Sequence, residues 1–264
     1  MLGKLLKYDF KFIFGNILIF YILAIFFALL TRVLSLLEHS IMVDILYKIS
    51  SGCFISMIAN ILINAMMSCW VRFRRSLYKD ESYLTHTLPV TKNQLYNSKF
   101  ISTLIFFLIS FIVIIIGLFI AYYTPENWNN IINVMNIITV GYNMSTTFFV
   151  LIALLIIFLE IFNAIQCGYL GIILGHRKNN AKIGFSILFG FIAYLISQSL
   201  VLGLVYLYGF IDPSVMALFE SATINIDANA FKVLAIASSA FYILIISIMY
   251  FMNKKFLNKG VDVE

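Results

Sequence analysis

Glu160 is the one acidic residue deep inside an apolar run of this 264-residue sequence, in the stretch ALLIIFLEIFNAIQCG. A charge at the centre of a bilayer costs roughly 3 kcal/mol on insertion scales, so such a residue is a functional candidate by default. It would pair a cationic group of a substrate or set helix packing; the run 144–175 is longer than a bilayer needs, so a place near a membrane interface is the other reading. Asn163 and Cys167 follow at three and seven residues, on the same helical face. Ser56, Asn60, Asn64 and Ser68 recur at four-residue steps and form one polar stripe on a helix. Two readings of that stripe stay open: hydrogen bonds between helices, or the lining of a translocation path. Catalytic chemistry finds little support. His39, His86 and His176 stand at loops or run ends, and no H-E-x-x-H occurs. Cys53, Cys69 and Cys167 have no C-x-x-C neighbour and read as small apolar residues rather than disulfide or metal ligands.

The elements that must position these residues are membrane spans. The chain is 62% hydrophobic and 11% charged, against roughly 25% charged for soluble domains. Its mean hydropathy is +0.99. A spanning helix needs about 20 apolar residues, and six runs qualify, at 16–34, 50–71, 100–122, 144–175, 183–207 and 231–252. Continuous runs with few Gly and Pro fit helices rather than the alternating strands of a barrel. The fold class is therefore an all-α integral membrane protein with six spans, in a single transmembrane domain over residues 1–264. Residues 1–15 read as an amphipathic helix lying in the interface, with Lys4, Lys7 and Lys11 on one face and Leu2, Leu5, Leu6 and Ile13 on another. No cleavable signal peptide is expected there.

Charge orients the spans. With the N-terminus inside, the inner segments 1–15, 72–99, 176–182 and 253–264 carry fifteen of the 18 Lys and Arg residues. Only Arg32, Lys48 and Lys232 fall outside. Both termini are thus expected on the cytoplasmic side. The net charge of +6 reads as membrane anchoring and not as a nucleic-acid surface. Two outer segments, 123–143 and 208–230, are too long for turns and carry Pro125 and Pro213 near their starts. The second is expected to hold a short re-entrant or surface helix from Pro213, capped by Asp212. Gly171 and Gly175 form a small-x-x-x-small pair suited to close helix packing.

The inner segment 72–99, RFRRSLYKDESYLTHTLPVTKNQLYNSK, is richer than a basic loop. Asp80, Glu81 and Ser82 offer cap and first-turn chemistry. Pro89 breaks the chain, because Leu88 before it is pushed out of the helical region. Thr91 can cap a second helix running through 92–99 into the third span. The spacing thus predicts a short helix, a break and a longer helix, and the Tyr and Leu side chains on it mark a contact surface.

Residues 80–99, DESYLTHTLPVTKNQLYNSK, resemble a stretch of the permeases of bacterial ATP-binding-cassette exporters of the type-II exporter fold, mostly from low-GC Gram-positive bacteria. The family pattern is approximately D-E-G-Y-L-T-x-T-L-P-V-[ST] followed by a polar helix ending in S-K. This chain matches at Asp80, Glu81, Tyr83, Leu84, Thr85, Thr87, Leu88, Pro89, Val90, Thr91, Ser98 and Lys99, and departs at Ser82, where Gly is frequent. The resemblance implies that this segment docks into a cleft of a separate ATPase subunit and transmits its closure to the spans. Asp80, Glu81, Tyr83, Leu84, Thr87, Leu88 and Pro89 would carry that coupling. It implies a second permease subunit, identical or related, and a multi-pass place in the bacterial cytoplasmic membrane.

The chain would itself be no enzyme: it lacks a G-x-x-x-x-G-K-[ST] phosphate loop. ATP and Mg would be bound by the partner, with no cofactor on this chain. The cargo expected is hydrophobic or amphipathic, such as a peptide, an antimicrobial or a lipid-like molecule. The polar stripe, Glu160 and Asn163 are the candidates for its path. A secondary transporter or channel not coupled to ATP is the alternative, though no Pro interrupts any of the six runs. An intramembrane enzyme ranks behind both.

Overall fold

Lipid offers no hydrogen bonds to the backbone, so an apolar run free of proline satisfies its N–H and C=O groups as a helix. All three prolines, at 89, 125 and 213, lie between the runs. The computed structural model describes the chain except at Met1, His39, Asp80, Leu88, 142–144, Asn179, Asp212, Ser214, 217–227 and 260–264. Among the described residues the elements are all helical: α1 (Leu2–Ser35), α2 (Ile41–Tyr78), α3 (Ser82–Thr87), α4 (Lys92–Tyr122), α5 (Pro125–Gly141), α6 (Thr146–Gly175), α7 (Lys182–Gly209) and α8 (Ala228–Asn258). Six of them, α1, α2, α4, α6, α7 and α8, are long and apolar enough to cross a membrane. The chain is a helical, multi-pass membrane protein. The described residues divide into two compact units, one up to Trp128 and one from Asn129 onward.

In the first unit, α1 packs against α2 and α4. Asp9, Ile13, Ile17, Tyr21, Ala24, Ala28 and Thr31 are all buried, a stripe at three- and four-residue steps that faces its neighbours. Polar pairs pin the contact: Tyr21 Oη and Ser110 Oγ lie 2.6 Å apart, and Thr31 Oγ1 and Ser50 Oγ 2.9 Å. This arrangement corrects one expectation. Residues 2–14 are not a separate interfacial helix from which the chain turns into the membrane; they are the first third of one unbroken α1. Lys4, Lys7 and Lys11 are exposed as their spacing implies. The opposite face, however, packs on protein through Asp9 and Ile13, and the helix runs on through Gly15 into the span.

The predicted break between the second and third spans is present. Ser82 opens the short α3, and α4 starts after Pro89 with Thr91 as its cap. Thr91 Oγ1 accepts from Gln94 N at 3.3 Å while Gln94 Oε1 accepts from Thr91 N at 3.1 Å, a reciprocal capping box. Pro125 starts a helix instead of breaking one. It is the first residue of α5, where its missing N–H is no loss, and Thr124 Oγ1 accepts from Asn127 N at 3.0 Å. The short helix expected from Pro213 falls largely outside the described residues.

In the second unit, α6 packs most extensively on α7 and then on α8. Gly171 and Gly175 are the reason for the close approach. A Cβ on either would come within 3.0 Å of the Ser186 backbone, and one on Gly171 would also meet Gly190. Between these helices Ala181 adopts φ 50°, ψ 39°, the left-handed region. That conformation costs an L-residue with a Cβ about 1–2 kcal/mol.

Two outcomes follow for thermal unfolding in detergent. Gly171→Val should destabilise the second unit by about 3 kcal/mol or more, because backbone and not a flexible side chain blocks the new methyls. Ala181→Gly should be neutral or stabilising by about 0.5–1 kcal/mol, since relief of the left-handed strain exceeds the added chain entropy. An unchanged midpoint for Gly171→Val would refute the close contact.

Candidate functional site

The first unit builds a charged node where three apolar runs end. Asp9 lies seven residues before the first run, Arg72 directly after the second, and Lys99 directly before the third. Helix packing brings them together. Asp9 is 1% exposed. Its Oδ1 accepts from Arg72 Nε at 2.8 Å and from Lys99 Nζ, and its Oδ2 accepts from Ser98 Oγ at 2.9 Å. One carboxylate therefore binds α1 to both α2 and α4. A buried charge is tolerable only when paired and hydrogen-bonded, and both oxygens of Asp9 meet that condition.

The node reaches the start of α3 through Arg72. Its Nη1 donates to Glu81 Oε2 at 2.5 Å, and Arg75 Nε lies 3.2 Å from Glu81 Oε1. The two guanidinium groups also sit over the Phe12 ring, 5.1 and 5.7 Å from its centroid, a cation–π contact that holds them to α1. An open cleft beside the node is lined by Tyr8, Lys11, Phe12, Arg72 and Glu81. Glu81 in turn anchors α3: its carbonyl accepts from Thr85 N at 2.9 Å and Thr85 Oγ1 at 2.8 Å. From this anchored turn Tyr83 and Leu84 project outward, 70% and 73% exposed. Thr87 and Pro89 are exposed as well, while Asp80 and Leu88 lie outside the described residues.

The polar stripe of α2 is on one face, but it is not in one environment. Ser56 is exposed, Asn60 and Asn64 are half-buried, and Ser68 is buried. Asn60 Nδ2 donates to Ser56 O and Asn64 Nδ2 to Asn60 O, each at 2.9 Å. These amides thus serve their own helix.

Glu160 and Asn163 belong to the second unit. The 30-residue α6 starts at Thr146, capped by Ser145, so Glu160 stands halfway along it. Its Oε1 accepts from Tyr194 Oη at 2.6 Å and from Gln198 Nε2 at 2.7 Å, both on α7. Tyr242 of α8 donates from Oη to Gln198 Oε1 at 3.2 Å. Asn163 is fully buried and donates to Ser197 Oγ at 2.9 Å. Nearer the end of α6, Asn253 Nδ2 of α8 donates to Gln166 O and Oε1, each at 3.2 Å. Among the described residues no group of three His, Cys, Asp or Glu side chains is placed to hold a metal ion.

Sequence reasoning overlooked Asp9, Arg72, Tyr194, Gln198 and Tyr242 as site residues, and treated Lys99 only as part of a motif. A signal existed for Asp9, the single acid among the lysines of the first fifteen residues. For Gln198 it was an amide inside an apolar run.

Removing one member of a buried ion pair strands the other, at about 3–5 kcal/mol. Asp9→Ala should lower the stability of the first unit by that amount, read as a fall in the unfolding midpoint in detergent. The double variant Asp9→Leu, Lys99→Met should recover most of the loss, because it removes both charges and keeps the volume. A midpoint for Asp9→Ala equal to the parent's would contradict the node.

No family model, no curated protein and no solved structure matches the chain.

Proposed function

We propose that this chain is the transmembrane permease subunit of an ATP-binding-cassette transporter, exporting a hydrophobic or amphipathic substrate under the drive of a separate ATPase subunit. The observation that carries the reading is the coupling of α3 to the charged node. Tyr83 and Leu84 are held out on a short helix whose root, Glu81, is ion-paired to Arg72. Arg72 is bonded to the Asp9 carboxylate that also holds Lys99. Large apolar side chains on an anchored helix suit a protein contact, with Tyr and Leu as anchors. A push on α3 would reach α1, α2 and α4 through charge-assisted hydrogen bonds rather than being lost in a flexible loop.

The resemblance of residues 80–99 to the permease motif supports the identity of the partner, an ATPase that binds ATP and Mg. The distribution of Lys and Arg supports a cytoplasmic side for α3 and for both termini. A second permease subunit would complete the path. In that arrangement the α2 stripe, Glu160 and Asn163 are the polar groups available to the cargo.

A photo-crosslinking residue at position 83 or 84 tests the reading in native membranes of the source bacterium. The expected product joins this chain to a protein that carries a phosphate-binding loop and hydrolyses ATP. Capture of no such ATPase from either position would overturn the coupling role. Glu81→Ala should leave stability within about 1 kcal/mol, since its ion pairs are partly exposed. It should weaken ATP-driven transport about tenfold, the equivalent of 1.4 kcal/mol of coupling. Full transport by that variant would also contradict the reading.

A further inference from the structure

One end of the second unit gathers cations without carboxylates. Arg177 and Lys178 follow α6, Lys182 opens α7, and Lys254, Lys255 and Lys259 lie at the end of α8. Arg177 Nη2 donates to Phe256 O, which ties the α6–α7 turn to the end of α8. Among the described residues of this unit the only Asp or Glu is Glu160. It stands half of α6 away from that end, about 22 Å at 1.5 Å per residue. Asp262 and Glu264 follow Lys259 in the sequence, and the six cations still outnumber those two acids.

The contacts these cations make are neutral. Arg177 Cζ and Lys259 Nζ lie 5.3 and 5.6 Å from the centroid of the Phe256 ring, and Lys178 Nζ lies 6.0 Å from that of Phe185. Lys254 Nζ is 4.8 Å from the Tyr250 centroid and donates to Tyr250 Oη at 3.2 Å. Among the described residues none of the six forms an ion pair. Aromatic faces steady a cation but leave its charge uncompensated. Like charges crowded at one end of a helix bundle repel, and a ligand that brings negative charge relieves them.

The surface beside the cations identifies that ligand. Ile183 and Ile187 follow Lys182 on α7, and Phe251 precedes Lys255 by one turn on α8; all three are exposed. A ligand at this end meets cations on one side and apolar surface on the other. Those are the two halves of a phospholipid, whereas a free phosphate would use the cations alone. We propose that this end of the second unit binds an anionic phospholipid, with its phosphate headgroup at Lys178, Lys255 and Lys259 beside Arg177 and its acyl chains along Ile183, Ile187 and Phe251. Arg177 is the fixed member, because its guanidinium is committed to Phe256. The three exposed lysines swing on flexible stems to reach the phosphate. The site stands on contacts within the second unit and does not depend on an ATPase partner.

Native mass spectrometry of the purified full chain tests it, with the protein released from detergent that holds equal amounts of phosphatidylglycerol and phosphatidylcholine. The parent should retain phosphatidylglycerol about tenfold more than phosphatidylcholine. Each cation near a headgroup is worth about fivefold in binding, so the triple variant Lys178→Gln, Lys255→Gln, Lys259→Gln should lose that preference. The triple variant Lys4→Gln, Lys7→Gln, Lys11→Gln removes the same charge from α1 and should keep it. All six substituted lysines are exposed, so both variants should fold, and the parent's lipid preference alone can refute the site. Inorganic phosphate in millimolar excess should not displace the lipid. Equal retention of the two lipids by the parent, or equal losses in the two triple variants, would overturn the proposal. Displacement by inorganic phosphate would overturn it as well, since the ligand would then be a free anion.

Discussion

The Asp9 carboxylate imposes the strongest constraint on the first unit. A negative charge buried to this degree is stable only against cations, and the two that reach it, Arg72 and Lys99, come from different helices. That requirement sets the rotation of α1 about its axis. With Asp9 turned inward, the residues at three- and four-residue steps from it, from Ile13 to Thr31, are turned inward too. Apolar packing between lipid-solvated helices is weakly directional, because tails and side chains are alike in polarity. A single buried ionic contact supplies the register that such packing lacks. The same contact places Arg72 where it can hold Glu81, so the geometry of α3 is inherited from the pairing of α1.

The second unit meets the same physical problem by different means. There α6 and α7 approach until backbone touches backbone at Gly171, Gly175 and Ser186. Van der Waals contact and hydrogen bonds then hold the helices: Asn163 to Ser197, Asn253 to Gln166, and Glu160 to Tyr194 and Gln198. Each of these amides sits on the buried side of its helix, where lipid would leave it unsatisfied. The result is a unit held by close packing and hydrogen bonds, with the Glu160 carboxyl among them.

The sequence made local features legible and long-range pairings illegible. The capping box at Thr91, the break at Pro89 and the short helix before it depend on neighbours within a few residues, and they were readable as such. The glycine pair of α6 was readable for the same reason. The pairs of Asp9 lie 63 and 90 residues away in the chain, and no local pattern announces them. The amphipathic start of α1 misled because periodicity reports that a face is different, not what it faces. Its apolar and acidic side meets α2 and α4 instead of lipid. The Ser145 cap places Glu160 halfway along α6, whereas its depth in a bilayer is not a property of the helix bounds, because a 30-residue helix is longer than the hydrocarbon layer. The spacing of Ser56, Asn60, Asn64 and Ser68 was correct as a stripe, whereas their graded burial toward the node was beyond reach of spacing.

The functional account stands or falls on what covers α3. Hydrogen–deuterium exchange over residues 82–87, compared between the isolated chain and the assembly purified from membranes with ATP bound, measures this directly. The account predicts slow exchange in the assembly and fast exchange in the isolated chain. Equal exchange in both, with α3 still open to water in the complete assembly, would contradict it.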